Sequence, residues 1–268
     1  MRLFAACLAA VLMAQAPLRA QDGLAEARRL YNAGQYDGAE RAVRAALSIP
    51  AMANGARVVL GRILLERFRQ TASDVDLSGA RTELRNVIPA ALDVRERIEL
   101  MLGLAEGLFL EDRFAAAAAM FEPIVTASAA LGVPAHERVL DWWATALDRY
   151  ATERPQPERT DLYARIRSRM AQEVERDPGS APGSYWLVAA TRGAGDLDGA
   201  WSQAMAAWLR APFARDRGAA LRADLDRLVV QALIPERAAR MTGREANQAT
   251  ASLTAEWETF KASWSKPV

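Results

Sequence analysis

The chain of 268 residues sets 34 Lys plus Arg against 33 Asp plus Glu, a formal net charge of +1. That balance argues against a surface dedicated to nucleic acid. Hydrophobic residues make up 51%, ample for one large domain or one continuous solenoid, and frequent alanine with few β-branched runs favours helix throughout.

The N-terminus reads as an address. Met1-Arg2 is a short basic start, Leu3 to Ala14 an uncharged apolar run, and Q-A-P-L-R-A-Q supplies small residues for a cut. This fits a secretory signal peptide over residues 1–20, cleaved after Ala20. Ala16 is an alternative that would leave Pro17 first. The run is shorter than the roughly 20 residues a bilayer span requires, so no stable membrane span is expected after cleavage. An uncleaved anchor is the competing reading. Phe4-Ala5-Ala6-Cys7 resembles the lipidated cysteine of bacterial lipoproteins, although only six residues precede Cys7. Cleavage after Ala20 would remove Cys7, the single cysteine, together with Arg2 and Arg19, taking the charge from +1 to −1. The expected location is the periplasm or the exterior of a bacterium.

The first helical hairpin is predicted from Gly23 to Pro50. Ala27, Leu30 and Tyr31 share one helix, Gly34-Gln35-Tyr36-Asp37 turns, and Ala39, Val43, Ala46 and Leu47 follow. A second hairpin covers about Asn54 to Pro89, with Leu60-Gly61 and Leu64 before a polar stretch, Gln70 to Ser78, expected as an exposed loop. Ala80, Leu84 and Val87 form its second helix. A third covers about Arg95 to Val125, turning at Asp112-Arg113-Phe114. A fourth is degenerate: Val139 to Tyr150 and Asp161 to Glu175 are helical, separated by T-E-R-P-Q-P. From Ala181 to Pro212 two apolar runs flank Gly193-Ala194-Gly195-Asp196, where Gly195 suits positive φ and Asp196 an N-cap. Beyond it, a helix from about Asp216 is expected to stop at Ile234-Pro235. Leu253, Trp257, Phe260 and Trp264 line one face of a last helix.

In the Ala181–Pro212 hairpin, Leu187, Thr191, Ala200, Ala204, Ala207 and Pro212 fall at the spacings of a tetratricopeptide (TPR) repeat, which the stretch resembles. Ser184, Val188, Thr191 and Ala204 depart from the Trp, Gly, Tyr and Phe of that pattern. G-Q-Y-D-G-A-E and A-A-L-S-I-P in the first hairpin keep both turn and close. Separations of 41 and 37 residues between Ala39, Ala80 and Ala117 exceed the family repeat of about 34. The resemblance implies an all-α fold, a right-handed α-α superhelix over residues 21–212, closed by C-terminal capping helices over residues 213–268.

It also implies a concave groove, lined by the first helix of each pair, that binds a peptide or partner protein. Helical spacing then nominates Arg28 and Tyr31, Arg62 and Leu65, Glu106 and Phe109, and Tyr185 and Arg192. Arginine beside aromatic residues suits an acidic or C-terminal segment. The asparagine and lysine sets with which other TPR domains clamp a terminal carboxylate are not recognisable; Asn32 is the nearby asparagine.

Chemistry-bearing motifs are sparse. His136 is the single histidine and reads as a surface residue in the first turn of a helix. One histidine and no mature cysteine exclude the usual zinc sets, and neither a nucleophile elbow nor a phosphate loop occurs. Asp224 with Asp226, and Glu256 with Glu258, read as solvent-facing charges, since residues two apart on a helix do not share a face. No catalytic residue, metal or cofactor is assigned. The expected function is an exported TPR-like interaction or scaffold protein. The alternatives are a periplasmic small-molecule or glycan binder and, further off, a glycan-active enzyme using two carboxylates.

Overall fold

The computed structural model of the chain describes residues 23–241 and 246–264. The signal-peptide stretch, Cys7 and the Lys266-Pro267-Val268 tail lie outside the described residues. Among the described residues the fold is all-α, with consecutive helices packed in neighbouring pairs and no strand. The chain divides between Leu131 and Gly132 into two compact units.

The first unit holds α1 (23–32), α2 (Tyr36–Leu47), α3 (Ala53–Thr71), α4 (Asp74–Arg85), α5 (Val94–Leu110) and α6 (Phe114–Ala127). Leu24, Ala27 and Tyr31 of α1 share one core with Ala39, Val43 and Ala46 of α2 and with the α3 residues Val59, Leu60 and Ile63. The alanines that set the hairpin register, Ala39, Ala80 and Ala117, are fully buried. Without bulk at those points, paired helices approach closely. Gly61 carries this furthest, since a Cβ there would stand 2.7 Å from Leu84 Cγ. The window Phe114–Leu131 is long and apolar enough to cross a membrane by length and composition, and its Ala117, Phe121, Ile124 and Val125 are buried within the unit.

The second unit holds α7 (Val133–Thr152), α8 (Gln156–Arg176), α9 (Ala181–Gly193), α10 (Leu197–Arg210), α11 (Ala219–Leu228), α12 (Ile234–Arg240) and α13 (Ala246–Trp264). Gly195 takes φ +88° after α9, and the Asp196 carboxylate accepts from the Gly199 N–H at 2.8 Å, opening α10. Both follow from residue type: only glycine enters that region freely, and a short carboxylate reaches a helix's free N–H groups. Trp257 of α13 is fully buried, its ring centroid 5.5 Å from Trp208 and 5.8 Å from Trp201 of α10. Leu253 joins it in the core, Phe260 is partly buried, and Trp264 is 58% exposed.

Two expectations are corrected. Gln70 to Ser78 is not a loop: α3 runs to Thr71, α4 starts at Asp74, and only Ala72 and Ser73 lie between. The polar residues are helix-end residues, with Asp74 and Asp76 in the first turn of α4, where acidic groups complement the free N–H groups. Nor does Ile234-Pro235 end the helical run. Val229–Leu233 forms a π-turn in which the Ile234 N–H reaches the Val229 carbonyl, five residues back. That wider turn accommodates Pro235, which has no N–H to offer and would clash with the carbonyl four residues back. α12 therefore begins with proline in its first turn.

Candidate functional site

In the first unit, helical pairing brings α1, α3 and α5 together, and four nominated residues meet there. Arg28 of α1 reaches Glu99 of α5 at 2.8 Å and Glu96 at 3.3 Å. Arg62 of α3 donates to Glu106 of α5 at 3.2 Å and to the Tyr31 hydroxyl at 3.1 Å. Its guanidinium also lies 4.8 Å from the Tyr31 ring centroid. Burial pulls the Arg62 pKa down, but Glu106, with Tyr31 and Glu99, more than offsets this and holds the cation firmly charged. The space beside this network, lined by Arg28, Tyr31, Asn32, Val59, Arg62 and Glu99, measures about 20 Å³, room for one water and no larger guest. Leu65 lies in the core, 2% exposed. Phe109 meets Phe114 edge-on at 5.3 Å.

A separate space of about 560 Å³ in the first unit is lined by Gly34 to Gly38 and by Arg41, Arg67, Gln70 and Thr71. In the second unit a cavity of about 540 Å³ is walled by the first helix of each successive pair and by α11. α7 contributes Glu137, Arg138, Asp141, Thr145, Asp148 and Arg149. These recur at three- and four-residue intervals, so they share one helical face. α9 contributes Ala181, Pro182, Tyr185 and Trp186; α11 contributes Ala220, Leu221 and Asp224. Four carboxylates thus stand against two guanidiniums.

Those carboxylates are held in place by the fold. Asp141 accepts from the Trp186 indole N–H at 2.8 Å, and Asp148 from the Tyr163 hydroxyl at 2.9 Å. Glu137 lies 3.6 Å from Arg215, and Asp224 3.1 Å from Arg227. Asp141 keeps solvent access through the cavity, yet protein atoms crowd it. Burial raises its pKa, Trp186 opposes that, and Asp224 adds to it. Burial likewise raises Glu137, only partly countered by Arg215. The Tyr185 hydroxyl is pushed up first by burial, then by the charges of Asp224, Asp148 and Asp141. The Arg192 charge opposes them, and the Tyr185 ring meets Trp186 edge-on at 5.4 Å.

Of the nominated residues, Tyr185 lines this cavity, whereas Arg192 donates to Glu236 of α12 at 3.0 Å. The α7 face escaped sequence reasoning. Its signal, E-R-x-x-D-x-x-x-T-x-x-D-R from Glu137, looks like any solvated helix face until α9 and α11 close over it.

His136 is not a surface residue. It is 4% exposed, with Nε2 placed 3.2 Å from Glu173 and 2.8 Å from Arg176 of α8. One nitrogen cannot both donate to the carboxylate and accept from the guanidinium, so its tautomer selects between them. Of the four carboxylates read as solvent-facing, Asp224, Glu256 and Glu258 are exposed and Asp226 is partly buried, and all four have partners. Asp226 accepts from Trp257 at 2.9 Å and Lys261 at 2.6 Å, and Glu256 accepts from Trp201 at 3.1 Å. Among the described residues no group of three or more His, Cys, Asp or Glu side chains is placed to hold a metal ion.

No protein-family model, no curated protein and no solved structure matches the chain.

Proposed function

We propose that the chain is an exported, TPR-like binding scaffold that takes a segment of a partner protein, with the cavity of the second unit as its seat. The observation that carries this reading is the cavity's construction from α7 and α9, the first helices of two successive pairs, with α11 beside them. In a TPR-like repeat such first helices line the binding face.

Site-specific photo-crosslinking in bacterial envelope extract tests this. A crosslinker at Thr145, on the cavity wall, is expected to give a discrete protein adduct, while one at the exposed Glu158 of α8 gives none. Equal labelling at both positions, or none at Thr145, would overturn it. A second reading, a small-molecule or glycan binder, is favoured by the size of the cavity, which lies within the range of about 300–1,000 Å³ usual for such pockets. A ligand-induced rise in Tm without any protein adduct would select it.

A further inference from the structure

We propose that the cavity of the second unit selects a basic peptide segment, seating one arginine or lysine side chain between the α7 carboxylates and the Tyr185 ring. This rests on the reading of that cavity as the binding seat. The first argument is charge. Glu137, Asp141, Asp148 and Asp224 outnumber Arg138 and Arg149 on the walls. Arg215 and Arg227 pair with Glu137 and Asp224, while Asp141 and Asp148 take their hydrogen bonds from an indole and a phenol, which bring no positive charge. A cation seated beside Asp141 and Asp148 meets two carboxylates held by neutral donors.

The second argument is hydration. Glu137 is largely enclosed by protein, so its charged form is less well solvated than on an open surface. A positive guest relieves that deficit, whereas an acidic guest deepens it. The third is shape. Tyr185 lines the cavity with a ring whose face suits a cation, while Ala181, Pro182 and Leu221 can cover the aliphatic stem that arginine and lysine bury. The anchoring bonds from Trp186 and Tyr163 hold two of the carboxylates before any guest arrives.

Length argues for a peptide over a free cation. The α7 wall runs from Glu137 to Arg149, which at 1.5 Å per residue is about 18 Å. An extended strand covers that in about five residues, more than one side chain fills.

The test is titration of the full-length mature protein, followed by tryptophan fluorescence, with a blocked hexapeptide containing one arginine. Its citrulline and glutamate counterparts, and arginine amide, serve as comparisons. The arginine peptide is expected to bind about ten-fold more tightly than the citrulline peptide, and to weaken with rising salt. Asp224→Asn and Asp141→Asn should each remove most of that preference. Asp224 is exposed, so its variant keeps the fold even if Asp141→Asn does not. Equal affinity for arginine and citrulline peptides, or preference for glutamate, would overturn the cation selectivity and leave the cavity as a binding seat. Arginine amide binding as tightly as the peptide would overturn the peptide. If no peptide binds while the Thr145 adduct still forms, the basic segment is wrong and the seat stands; loss of both removes the seat too.

Discussion

Gly193 is the seat of a tyrosine ring, and alanine there should unseat it. A Cβ on Gly193 would stand 2.5 and 2.7 Å from Cε1 and Cε2 of Tyr163, with Cζ nearer still. Carbon atoms settle at about 3.5–4.0 Å, so the ring must retreat by about 1 Å. It has little freedom to do so, being 4% exposed and tied through its hydroxyl to Asp148. Overpacking of this kind costs about 1–3 kcal/mol. Loss of the Asp148 bond adds about 1 kcal/mol, taken at the low end because that carboxylate is half-exposed. Replacing a helical glycine returns up to about 1 kcal/mol. The net expectation for Gly193→Ala is a loss of about 2 kcal/mol. Urea unfolding by intrinsic fluorescence reads this cleanly, because all 7 tryptophans lie in the second unit. The midpoint should fall with an unchanged m-value. In a Tyr163→Leu background the same substitution should be neutral or stabilising. An equal cost in both backgrounds, or a gain in the native one, refutes the reasoning.

Ala72 sits at φ 54°, ψ 32° between α3 and α4, a conformation that costs an L-residue about 1–2 kcal/mol. Ala72→Gly should therefore add about 0.5 kcal/mol of stability once the glycine's extra unfolded-state freedom is subtracted, seen as a higher urea midpoint by circular dichroism. Glu106→Gln strips the Arg62 guanidinium of its carboxylate inside the first unit and should lose about 3 kcal/mol by circular dichroism. The double change Arg62→Leu with Glu106→Leu should lose less than Glu106→Gln alone. Glu173 is pushed up by burial, but hydrogen bonds from Arg176 and His136 hold it below the ordinary glutamate value. Its contribution is present above that ordinary value and lost as pH falls through the depressed one. The stability gap between wild type and Glu173→Gln should therefore be widest near neutrality and shrink below about pH 4. A gap that holds constant from pH 7 to pH 3 would refute that assignment.

Most of the hairpin geometry was legible in the sequence because it depends on local chemistry. Gly195 and Asp196 mark a turn and a cap by residue type, and the buried alanines mark the crossing points by spacing. What was not legible depends on neighbours far along the chain. Pro235 reads as a stop until a π-turn absorbs it. His136 reads as a surface residue until Glu173 and Arg176, 37 and 40 residues away, cover it. The same holds for the cavity: Tyr185 could be nominated from its helix position, but Asp141 and Asp148 gain meaning only when Trp186 and Tyr163 reach them. Charge pattern alone does not distinguish a wetted helix face from a cavity wall.

α1 and α3 of the first unit carry arginines that, left bare, would attract carboxylates from outside. Instead α5 supplies them: Glu99 answers Arg28, and Glu106 answers Arg62. Those cation sites are thus already filled by the chain itself. An acidic intruder would have to evict two glutamates already lodged there, and would win nothing the protein does not already have.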